Sequence, residues 1–122
     1  MNHYEDNKPT CIVNVLGTPY AVYDGVMPEN DPYLEKCDGY FDKTVKRIVV
    51  IGKIPENELE DWNEYRKVCL RHEIVHAFMH ESGIDANCKF DVPGESHPEH
   101  MVSWIAIQFP KMLKAFKEVG AM

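Results

Sequence analysis

Apolar and polar positions follow one rhythm in the first half of the chain and another in the second. CIVNVLGTPYAVYDGV (11–26) is rich in β-branched and aromatic residues around turn chemistry, which predicts two short strands joined at Gly17-Thr18-Pro19. MPENDPYLEKCDG (27–39) is dense in Pro, Asn, Asp and Gly and reads as a loop. GYFDKTVKRIVVIG (39–52) predicts a second hairpin, with Tyr40 and Phe41 on one strand, Ile48 to Ile51 on the other and the turn near Asp42 to Thr44. From there the period lengthens. Leu59, Trp62, Tyr65, Cys69, His72, His76 and Met79 recur at spacings of three and four, so IPENELEDWNEYRKVCLRHEIVHAFMHESG (54–83) predicts a long helix with these residues on one face. Leu70, Ile74, Val75 and Phe78 add apolar surface on its other sides, which implies burial of the second half. Pro55 and Glu58 suit its start and Ser82-Gly83 its stop.

Residues 84–97 read as a loop, and a last helix is expected from Pro98 to Phe109, bent or restarted by Pro110 before KMLKAFKEVG. Strands first and helices after predict an α+β fold: a small antiparallel sheet of two hairpins, a long helix and a C-terminal helix. With 122 residues the chain suits one domain, 1–122, whose polar residues 1–9 are expected to form a loose tail.

Charge narrows the function. Lys and Arg total 13 against 20 Asp and Glu, a formal net charge of −7, which disfavours nucleic acid and anionic lipid as partners. MNHYEDNKPT has no basic start followed by an apolar run, and no apolar stretch reaches membrane-spanning length. A cytoplasmic protein is the expectation, with Cys11, Cys37, Cys69 and Cys88 as reduced thiols. They form no C-x-x-C pair, which argues against a cysteine-only zinc site.

The chemistry gathers in RHEIVHAFMH (71–80). His72, Glu73 and His76 form H-E-x-x-H. Residues four apart on a helix lie on one face, so the two imidazoles can converge on one zinc ion, with Glu73 aimed at a metal-bound water rather than at the metal. The bland reading is a pair of polar residues on a helix surface; a position on an apolar face weighs against it, because unpaired polar groups are costly there. His80 follows His72 by eight residues, about 12 Å along a straight helix, too far to share the ion. A third ligand is therefore sought in ESHPEHMVSWIAIQF (95–109), where Glu99, Val102, Ala106 and Phe109 share one helical face. A carboxylate extending an inward stripe needs a strong partner, and zinc is one. Glu99 also suits a capping box with Ser96, and His97 and His100 are rival ligands.

H-E-x-x-H on one helix with a glutamate on the next resembles the gluzincin metallopeptidases. The small size and the strand–strand–helix order resemble the minimal metallopeptidases of prophages and mobile elements. EHMVSWIAIQFPKM (99–112) is similar to the helix of ImmA/IrrE-type peptidases that supplies the third ligand, and the likeness spans roughly residues 39–112. The resemblance implies a zinc-dependent peptidase with His72, His76 and Glu99 as metal ligands and Glu73 as catalytic base. Tyr65, His80, His97 and His100 are candidates for a second oxyanion donor, with a structural role favoured for Tyr65. A protein or peptide substrate is expected to pair with a strand from 39–52. The competing expectation is a catalytically inactive, zinc-stabilised adaptor. Trp62, Trp104, Tyr40 and Phe41 are assigned to the core.

Overall fold

A computed structural model describes residue 4, residues 7–55, 58–84 and 99–122, with the side chains of 99–103 and 106 left aside. Strands β1 (Cys11–Val15), β2 (Thr18–Val26), β3 (Gly39–Asp42) and β4 (Arg47–Ile51) precede helices α1 (Trp62–Glu81) and α2 (Glu99–Glu118). The expected α+β architecture is what forms. The loop between β2 and β3 carries one 3₁₀ turn at Pro32–Glu35, capped by the Asp31 side chain.

Both hairpins are present, β1 with β2 and β3 with β4, each antiparallel. They join through a parallel β2–β4 pair, so the four strands lie in the order β1-β2-β4-β3 and the sheet is mixed rather than purely antiparallel. Strand β3 is thus an edge and β4 is interior. This suits the sequences: RIVVI is apolar on both faces, as a central strand must be. The first turn falls on Leu16 and Gly17, one residue ahead of its expected place, and both have positive φ. That is the backbone a two-residue hairpin turn requires, and Asn14 Oδ1 accepts a bond from the Gly17 amide at 2.8 Å.

Strand alternation sends the two sheet faces to different cores. Val13, Val15, Tyr20, Val22, Ile48 and Val50 pack against Leu70, Ile74, Ala77 and Phe78 of α1 and Met112, Ala115 and Phe116 of α2. The opposite face gathers Tyr23, Val26, Val49 and Ile51 with Leu34 of the 3₁₀ turn and with Tyr4. Of the stretch expected to be loose, 1–9, the structure describes Tyr4 and residues 7–9. Tyr4 is buried against Tyr23 on this face of the sheet, and its hydroxyl donates to Asp31 Oδ2.

Helix α1 begins later than expected. Asp61, not the Pro55 region, caps it by accepting from the Glu64 amide at 3.0 Å. It stops as predicted at Ser82, followed by Gly83 at φ 80. Helix α2 runs unbroken through Pro110 to Glu118. It lies antiparallel to α1: Trp104 Nε1 donates to Ser82 Oγ at 3.1 Å, and Arg71 Nη1 donates to the Ala121 carbonyl at 2.6 Å. Among the described residues no helix is long and apolar enough to cross a membrane.

Candidate metal centre

The face of α1 that the periodicity marked is not the buried one. Leu70, Ile74, Ala77 and Phe78 meet the sheet, whereas His72 and His76 are exposed and Leu59 is 48% exposed. The sheet selects the more continuously apolar side. The stripe carrying the histidines lies at the margin, beside the edge strand β3.

On that margin the two imidazoles approach edge to face, with Nε2 of His72 and Nε2 of His76 3.1 Å apart. Two nitrogens each about 2.0–2.1 Å from one tetrahedral zinc stand about 3.3 Å apart. The pair therefore fits two neighbouring ligand positions with almost no adjustment. The same separation suits an N–H···N hydrogen bond when one ring carries its proton on Nε2. Partial desolvation of the ring against β3, and secondarily the neighbouring His72, lowers the His76 imidazole below its ordinary pKa, which favours the neutral form that ligates.

Glu73 takes the opposite position. Only 7% of it is exposed, and its side chain lies under Gly39 of β3. A β-carbon on Gly39 would stand 3.6 Å from Glu73 Cγ and Oε2, in ordinary contact, so the strand backbone lies against the carboxylate. Burial pushes the carboxyl above the usual glutamate range, partly offset by His72. Among the described residues no hydrogen bond ties it down, which is the condition of a carboxylate free to exchange a proton.

The other sequence candidates separate. The Tyr65 hydroxyl donates to Asp38, and this bond, followed by burial, raises its pKa; it braces α1 against the start of β3. His80 stays on the same unbroken helix, 3.9 Å from Glu81 Oε2 and tilted against Phe41 at 6.2 Å. Glu99 and His100 open α2 as backbone; their side chains, and all of His97, lie outside the described residues. The stripe expected to turn Glu99 inward fails at its described end, because Phe109 is 50% exposed. Helix α2 instead turns Trp104, Met112, Ala115 and Phe116 toward the core. Among the described residues no third His, Cys, Asp or Glu joins the histidine pair. Cys11, Cys37 and Cys69 form no disulfide among the described residues.

One residue at the site was read only as core. Phe41 lies parallel to the His76 ring, with centroids 5.8 Å apart and planes 3° from each other. Nothing in the local sequence of β3 signals this, because the contact depends on how β3 docks beside α1.

No protein-family model matches the chain significantly, and neither does any curated protein or solved structure.

Proposed function

We propose that the chain is a zinc-dependent metallopeptidase in which His72 and His76 hold the metal and Glu73 acts as general base. The observation that carries this reading is the 3.1 Å Nε2–Nε2 separation of the histidines, with Glu73 between them in sequence, buried and without a hydrogen bond among the described residues. Structural histidines have no need of such a neighbour. The third ligand comes from residues 97–100, with Glu99 first on carboxylate chemistry and on the gluzincin resemblance, and His97 and His100 as its rivals.

Zinc, when bound, supplies a Lewis acid for the scissile carbonyl and a water whose pKa is drawn toward neutrality. The protein supplies the proton traffic. A glutamate whose pKa is raised by burial takes a proton near neutral pH more readily than an exposed one, and Glu73 then delivers it to the departing amine nitrogen. The substrate lies along β3, the sheet edge nearest the histidines, and takes up the backbone groups that β4 leaves unpaired.

The experiment is metal content of the untagged protein, purified without chelators, by elemental mass spectrometry, followed by the same measurement on Glu99→Ala, His97→Ala and His100→Ala. About one zinc per chain, lost in one of the three variants, is expected. A folded chain that takes up no zinc when zinc is supplied overturns the reading.

A further inference from the structure

A histidine that ligates a metal is normally oriented through its second ring nitrogen, which donates to a carboxylate or a carbonyl. His76 lacks that support among the described residues, where its hydrogen-bond contact is the one with His72 through Nε2. The imidazole torsion is broad and poorly fixed by rotamer preference alone, so another contact must set the plane of the ring. Phe41 is that contact. Its ring lies 3° from parallel to the imidazole at a 5.8 Å centroid separation, in the offset geometry that aromatic pairs favour.

Phe41 is itself well held. Its backbone is registered opposite Ile48, which is fully buried, and its ring packs on the main core. It also meets His80, one helical turn beyond His76, at 6.2 Å. The phenyl ring is thus seated against two imidazoles of α1, and the edge strand fixes its height along the helix.

We infer that Phe41 is a positioning residue for His76, holding the imidazole in the plane in which its Nε2 and that of His72 converge on one metal ion. This rests on the proposed metal site. The sheet edge and the metal pair are thereby coupled mechanically, since the strand offered to substrate carries the ring that sets a ligand.

The test is zinc affinity of the full chain by chelator competition, for the wild type, Phe41→Leu and Phe41→Tyr. Phe41→Leu keeps an apolar side chain but removes the flat face and is expected to weaken zinc binding about tenfold, the lower end for loss of a ligand's supporting contact. Phe41→Tyr keeps the face and is expected to bind within about twofold of wild type on the same scale. In the zinc-free proteins, the His76 ring protons should lose the ring-current shift from Phe41 in the leucine variant and keep it in the tyrosine variant. Phe41→Met serves in place of leucine if the latter fails to fold, with the same expectations. Unchanged zinc affinity in the variants without a ring overturns the positioning role, and so does equal weakening with tyrosine. A wild type that binds no zinc overturns the metal site first, and the two failures are thereby told apart.

Discussion

Gly39 of β3 lies directly against Glu73 of α1, so close that a β-carbon on the glycine would stand in ordinary contact, 3.6 Å, with Cγ and Oε2 of the glutamate. The strand thereby helps to cover the acid group, which is only 7% exposed. Glu73→Gln preserves the shape and removes the proton acceptor. The variant should keep its fold and its zinc while kcat falls by at least about a hundredfold, the usual minimum for a lost general base. Cleavage assays set beside metal content check this. Retained activity in a zinc-loaded Gln variant would assign the base elsewhere, whereas retained partner binding with no activity in either protein would favour the adaptor reading. Gly39→Ala is a second probe. Its β-carbon would meet the Val49 carbonyl at 3.0 Å, so a loss of about 1–2 kcal/mol in chemical denaturation is expected from overpacking.

Glu81 closes α1 where the helix dipole disfavours a negative charge, and it is held there by three donors. Thr18 Oγ1, Tyr20 OH and Lys46 Nζ donate to its carboxylate at 3.0, 2.6 and 2.8 Å. Burial alone would raise its pKa, but the bonds from Lys46, Tyr20 and Thr18 outweigh burial and bring it down to about 2. The folded value lies below the unfolded one, so the carboxylate's contribution is fully present above the unfolded pKa. It is lost as pH falls from about 5 toward about 2. From 4.5 to about 2 the linkage is worth about 3 kcal/mol. Glu81→Gln should therefore unfold at lower denaturant concentration at pH 7 and show a smaller further loss down to pH 2. Parallel pH profiles for the two proteins would mean that Glu81 does not carry this dependence.

The elements were legible where one physical signal dominated. The apolar run Ile48 to Ile51 and the Ser82-Gly83 stop each specify local structure by themselves, and the turn signal at Gly17 is right to within one residue. The start of α1 was misplaced because both the Pro55 region and Asp61 carry start signals, and only the bond from the Glu64 amide to Asp61 decides between them. The parallel junction of β2 with β4 follows from pairing between distant segments, which neither hairpin encodes. For the site, the spacing of His72 and His76 fixed their convergence, since helix geometry leaves little freedom at i and i+4. Burial was harder to read. Two apolar stripes compete on α1, and the sheet takes the one with Leu70, Ile74 and Phe78 rather than the one with the histidines. Phe41 was invisible for the same reason, because its partners lie across a docking interface.

Strand β3 offers the remaining test. The Ile51 amide donates to the Asp38 carbonyl at 3.0 Å, which fixes the phase of the ladder. In an antiparallel pair the residues that exchange bonds alternate with residues whose amide and carbonyl point away. Counting from Asp38, the backbone groups of Gly39 and Phe41 face away from β4, toward the open edge. An extended peptide bound there would exchange hydrogen bonds with those two residues, close to Glu73 through Gly39 and to His76 through Phe41. Once a cleaved peptide is in hand, methylating one of its edge-facing amides removes a single such bond. KM should rise about fivefold, the equivalent of about 1 kcal/mol, with zinc content unchanged. Methylation at the neighbouring amide, which points to solvent, should leave KM alone. Equal effects at both positions would show that the peptide does not extend the sheet.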